Sequence, residues 1–113
     1  MHEIGVLNEA VKMAESVGKA NNISKIKYLS LEIGELTGYL PIFFEKYFPV
    51  VVADKPLFDG AELRLSIVKG QALCEGCETL YNVLKNEGKC PACGSRSKKI
   101  LSGQEFIVKE IGV

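Results

Sequence analysis

Four cysteines in two C-x-x-C pairs constrain this chain more than any other feature. They are Cys74-Glu75-Gly76-Cys77 and Cys90-Pro91-Ala92-Cys93, with twelve residues between the pairs. Each pair can close a knuckle whose backbone turn aims two sulfurs at one ion. Two knuckles complete a tetrahedron of thiolates, the closed geometry of structural zinc. Gly76 and Gly94 are expected to supply the conformational freedom of these turns, and Pro91 pre-sets the backbone inside the second. Iron in a rubredoxin-like site and a pair of dithiol–disulfide couples are the alternatives. A redox motif needs only one C-x-x-C, and the βαβ context typical of that motif is missing. Four sulfur ligands leave no open position, so the expected zinc is structural and not catalytic.

A chain of 113 residues holds one modest core, which a metal staple would support. Hydrophobic residues make up 47% and charged residues 25%, ordinary for a globular protein. Fourteen basic residues balance 14 acidic ones. A chain without net charge lacks the broad basic face that displaces counterions from phosphates, which argues against nucleic acid as a partner. The cluster Arg96, Lys98 and Lys99 reads as a solvated turn. No segment approaches the roughly 20 apolar residues that span a bilayer. The N-terminus lacks a basic n-region and sets Glu3 and Glu9 among its apolar residues, unlike a signal peptide. A cytoplasmic location follows as an expectation, and reduced thiols there favour metal over disulfide.

Residues 4–17 have helical spacing, with Ile4, Leu7, Ala10, Val11, Ala14 and Val17 on one face and Gly18 and Asn21-Asn22 as stop signals. Residues 25–36 read as a strand with Leu29, Leu31 and Ile33 alternating. Gly34 and Gly38 then bracket a turn around Glu35 and Thr37. Pro41 suits the first turn of a second helix that buries Phe44, Tyr47, Phe48 and Val51. Pro49 predicts an end or kink near Phe48, because it lacks an N–H and clashes with the preceding turn. Residues 54–60 read as a loop. Residues 61–69 alternate again, with Leu63, Leu65 and Ile67 inward, and residues 105–111 form a last strand that returns to the sheet of the first two. The expected fold is α+β: a small mixed sheet of about three strands packed with two helices, interrupted by a zinc-ribbon-like module. The domains are then 1–69 plus 103–113, and 70–102. Tyr81 reads as the module's small core.

The single histidine is His2. The Met1 amine, the His2 amide nitrogen and the His2 imidazole can close two chelate rings around one ion. Such nitrogen-rich planar sets suit Ni(II) or Cu(II), and affinity rises with pH because the donors must lose protons. Glu3 reads either as a carboxylate favoured by the helix dipole or as a group that joins or orients the metal site. No second histidine or activated hydroxyl suggests catalysis, so no catalytic residue is assigned.

Three further short motifs join these features. They are the opening Met1-His2-Glu3, the turn Ile33-Gly34-Glu35-Leu36 and the strand entry Gly60-Ala61-Glu62-Leu63. With the paired C-x-x-C module, the whole chain resembles the HypA/HybF family of nickel-delivery chaperones that mature [NiFe] hydrogenase. The resemblance implies nickel bound by His2, with backbone nitrogens of residues 2 and 3 as further ligands and Glu3 important to binding. It also implies a zinc domain inserted before the final strand. Its implied partners are a nickel-handling GTPase of the same pathway and the hydrogenase large-subunit precursor, with urease maturation served in some relatives. A homodimer is a further option. Some relatives carry an extra carboxylate ligand after the first strand, where this chain has Tyr39-Leu40-Pro41. Some also carry histidines beside the zinc cysteines, which this chain lacks.

Overall fold

The computed structural model describes residues 2–113, with side chains from Glu3 onward. Helix α1 spans His2–Ala20 and α2 spans Pro41–Val51. Strands β1 (Tyr28–Gly34), β2 (Glu62–Val68) and β6 (Phe106–Gly112) form one sheet in the order β2-β1-β6. Strands β3 (Gln71–Cys74), β4 (Leu80–Asn82) and β5 (Lys98–Ser102) form a second, in the order β4-β3-β5. The sequence reading did not assign the three short strands of the second sheet. The two sheets share no strand, and the molecule extends 54 Å along its longest axis. No described helix is long and apolar enough to cross a membrane.

The first sheet is mixed, as expected. β1 and β2 run parallel, with Leu29 opposite Leu63 and Leu31 opposite Leu65. Parallel neighbours need a crossover connection, and α2 lies in it. β6 returns antiparallel to β1, with a bulge opposite Ser30/Leu31. The core between sheet and helices holds Leu7, Val11, Ala14, Leu29, Leu31, Ile33, Phe44 and Phe58, all buried. Phe44 stacks on Phe106 at 5.6 Å, and Tyr39 meets both edge-on, so three aromatic rings tie β6 to α2.

Local expectations change or sharpen at several places. Helix α1 passes through Gly18, which is not a stop signal. The bare backbone there packs on Leu57, whose Cδ2 would sit 2.9 Å from an added Cβ, while Val17 turns outward. The helix ends at Asn21-Asn22. There the Asn21 amide donates to the Val17 carbonyl at 2.8 Å, and Asn22 takes a left-handed φ of 56°. Helix α2 runs three residues past Phe48, through Pro49 to Val51. Pro49 falls in the last turn on the exposed side, where few helical bonds remain to be lost. The loop of residues 54–60 buries Leu57 and Phe58 on a short 3₁₀ turn. Ile67 is 47% exposed, near the end of β2, an edge strand of the sheet.

Candidate metal centre

The cysteine knuckles are built by two turns of identical pattern. Cys74 N–H donates to the Thr79 carbonyl at 2.9 Å, and Glu78 N–H returns to the Cys74 carbonyl at 2.9 Å. Sixteen residues on, Cys90 N–H donates to the Ser95 carbonyl at 2.9 Å, and Gly94 N–H returns to the Cys90 carbonyl at 2.8 Å. The fourth residue after each first cysteine takes the left-handed conformation, Glu78 at φ 60° and Gly94 at φ 77°. Gly94 therefore has the role expected of it. Gly76 does not. Its φ is not positive, and its N–H donates instead to Cys74 Sγ at 3.3 Å.

All four sulfurs lie within 4.8 Å of one another. Cys74 and Cys93 are 3.6 Å apart, and Cys77 and Cys90 are 3.5 Å apart. A tetrahedron with metal–sulfur bonds of about 2.3 Å has edges of roughly 3.8 Å, so the donor set fits one thiolate-bound ion. The four cysteines are free thiols. Cys74 and Cys90 are buried while Cys77 and Cys93 face outward. Burial pushes the Cys90 thiol up, but the N–H groups of Cys93 and Ala92 and the neighbouring thiols outweigh it and bring it to about 6. The Ser95 N–H draws Cys93 down, yet the crowded sulfurs of Cys74 and Cys77, together with burial, push it up to about 12. Four thiols this close cannot all ionise without a cation among them, and a divalent metal supplies that charge.

One side chain beside the sulfurs, Thr79, is not among the site residues expected from the sequence. The Thr79 hydroxyl lies 3.1 Å from Cys77 Sγ, where it can donate to a thiolate. The signal was present: Thr79 and Ser95 each follow the second cysteine of their pair by two residues. Tyr81 is buried with Ala72, Cys74 and Cys90, as expected of a small core. Among the described residues, its hydroxyl has no hydrogen-bond partner. Burial and then the charge of the nearby thiolates hold its phenol above the ordinary value.

At the other end of the molecule, the structure sets Glu3 in the first turn of α1. Its carboxylate accepts the Leu40 N–H at 3.1 Å. Leu40 is the N-cap of α2 and has no side-chain cap of its own, so Glu3 joins the starts of the two helices. Met1 and the His2 side chain, the expected nickel donors, lie outside the described residues.

The family model for HypA, described as hydrogenase/urease nickel incorporation and metallochaperone, matches residues 1–113. The chain belongs to the HypA family. The hydrogenase maturation factor HypA of Geobacter metallireducens is 33% identical over 113 residues, covering all of this chain and 99% of that protein. The corresponding factor of Geobacter sulfurreducens is 34% identical over the same length. Two solution structures share the fold. A HypA protein has a TM-score of 0.70 at 24% identity, covering 99% of this chain and 95% of its own. The Ni metallochaperone HypA from Helicobacter pylori has a TM-score of 0.68 at 22% identity, covering 97% of this chain and 95% of its own. In this member of the family the four-cysteine metal-binding cluster sits at the end of β3 and in the turns beside the second sheet.

Proposed function

We propose that this chain is a non-enzymatic metallochaperone that binds Ni(II) at its N-terminus and delivers it for [NiFe] hydrogenase maturation. The observation that carries the reading is the family match across all 113 residues, which takes in both the Met1-His2-Glu3 opening and the cysteine pairs. The nickel donors are the Met1 amine, the backbone amide and imidazole of His2, and the backbone nitrogen of Glu3. The Glu3 side chain has an orienting role, in keeping with its bond to Leu40 N–H. Cys74, Cys77, Cys90 and Cys93 hold Zn(II), whose tetrahedral thiolate chemistry needs no open position. Residues 1–69 with 103–113 act as the nickel-binding unit and 70–102 as the zinc-binding unit. The partners are a nickel-handling GTPase of the pathway and the hydrogenase large-subunit precursor, with urease maturation proteins as a second client. The compartment is the cytoplasm, where thiols stay reduced.

An ion held at a chain end is open to an incoming ligand set. A partner can replace the nitrogens one at a time, so that nickel passes without release to water. Leu80, Leu84 and Leu101, all at least half exposed on the cysteine-bearing half, favour a second reading as a protein-interaction module without nickel delivery. Nickel titration separates the two, using zinc-loaded protein with a native N-terminus beside His2→Ala. One nickel per chain, lost in the variant while zinc is retained, is the expected result. Equal nickel binding by both proteins, or none by either, leaves the interaction module as the better account.

A further inference from the structure

Two chain crossings join the sheets, one at residues 69–70 and the other at 103–105. Their glycines, Gly70 and Gly103, are packed without room for a side chain. A Cβ added to Gly103 would lie 2.5 Å from Gly70 Cα, and one added to Gly34 would lie 2.2 Å from the Gly103 carbonyl oxygen. Backbone bonds hold the second crossing to the end of β1: Leu36 N–H donates to the Gly103 carbonyl at 2.7 Å, and Gly34 N–H to the Glu105 carbonyl at 2.8 Å. The first crossing is held differently. Glu35, in the 3₁₀ turn after β1, accepts the Gly70 N–H on Oε1 at 2.9 Å. The same oxygen accepts the Asn82 side-chain amide at 3.1 Å. The orientation of that amide is fixed, because Asn82 Oδ1 accepts the Lys85 N–H at 2.9 Å. Asn82 closes β4, so one carboxylate of the first half grips both a crossing and a strand of the second. Ser102 Oγ, at the end of β5, also donates to the Lys69 carbonyl at 2.8 Å and so ties the start of one crossing to the other. Among the described residues, Glu35 to Asn82 is the one hydrogen bond or ion pair between side chains of the two halves.

We infer that Glu35 is a positioning residue, which clasps Gly70 and Asn82 and so fixes the attitude of the cysteine-bearing sheet to the helical half. The inference does not depend on which metal either half carries. Glycine crossings permit rotation, and backbone bonds at a single crossing leave a swivel. A second attachment on the other crossing removes it. A charged acceptor is suited to this, since its bonds to amide donors are the strong kind.

The test compares residual dipolar couplings of wild-type, Glu35→Gln and Glu35→Ala proteins, each zinc-loaded at equal metal content. Wild type is expected to fit one alignment tensor across both sheets. Glu35→Ala is expected to require two, with each half tumbling faster than the whole, while couplings within each sheet stay self-consistent. Glu35→Gln keeps an acceptor oxygen and restores the single tensor. Asn82→Asp is the second variant, should Glu35→Ala fail to fold. It keeps the acceptor for Lys85 N–H but sets a like charge against Glu35, so it should also release the halves. A common tensor that persists in Glu35→Ala or in Asn82→Asp overturns the inference.

Discussion

Glu78 occupies the left-handed position that Gly94 takes in the matching knuckle, at φ 60° against 77°. A side chain costs about 1–2 kcal/mol there, offset in part by the extra chain entropy that glycine loses on folding. Glu78→Gly is therefore expected to stabilise the zinc-loaded protein by about 0.5–1 kcal/mol. Gly94→Ala should destabilise it by about 1–2 kcal/mol, both read by denaturant unfolding. A loss of stability in Glu78→Gly would mean that its side chain makes a compensating contact. Tyr28 gives a pH-dependent case. Its hydroxyl donates to Glu110 Oε1 at 2.9 Å, and its ring lies under the Arg64 guanidinium at 3.6 Å. The Glu110 bond, then burial, then the negative charge of Glu110 hold the phenol above 10.0, and Arg64 opposes them. The raised value favours the neutral form in the fold. This contribution is thus fully present below pH 10.0 and is lost as pH rises through the folded value. An ultraviolet titration corrected with Tyr28→Phe should place its midpoint above 10.0, and Glu110→Gln should draw it back towards that value.

Periodicity made the elements legible wherever one face is buried against a single neighbour. The alternation Leu29, Leu31, Ile33 gave β1, all three side chains being buried, and the cysteine spacing gave the ligand cluster. The pattern was least informative where tertiary contacts override local preference. Gly18 reads as a stop until Leu57 is seen packed on it. The stretch 54–60 reads as loop because a 3₁₀ turn buries two residues without a repeating pattern. The strands of the second sheet, of three to five residues, are too short to show a period. Glu35 stood in a recognisable turn, but its partners Gly70 and Asn82 are distant in sequence, so its clasp was not readable. Helix α2 shows the same limit in Pro49, and a test follows from it. Pro49 is exposed in the last turn, so Pro49→Ala removes the ring's clash with the Glu45 carbonyl and restores an N–H without loss of packing. The full penalty of an interior proline, about 3 kcal/mol, does not apply at a helix end, and proline also restricts the unfolded chain. A net gain of about 1 kcal/mol in unfolding free energy is expected. No gain would show that α2 is already frayed at its end.

Across the whole molecule, the two halves are stabilised by different means. The first sheet and its helices bury a continuous apolar cluster that includes Leu7, Ile26, Leu29, Leu31, Ile33, Phe44 and Phe58. The second sheet buries only Ala72, Cys74, Tyr81 and Cys90, with Val83 and Ile100 at its margin, so half of its buried residues are metal-ligand candidates. A core this small does not offset the chain entropy of some thirty ordered residues, at about 1–2 kcal/mol each for the backbone alone. Metal binding must then supply the folding free energy of that half. Removing the ion also leaves four thiols within 4.8 Å of one another, two of them with strongly displaced titration. Amide hydrogen exchange after treatment with a chelator under reducing conditions tests this. Protection in β3, β4 and β5 is expected to collapse while β1, β2, β6 and both helices keep theirs, and restoring zinc should recover the lost protection. The Glu35 clasp sets the limit of the spread. With Asn82 no longer held in β4, its bond to Glu35 is lost, but the backbone bonds of Leu36 and Gly34 to the second crossing lie within the first half's own frame and persist. Loss of protection throughout β1 and β6 would show instead that the two sheets fold as one cooperative unit. Retention in all six strands would show that the cysteine half is stable without its ion.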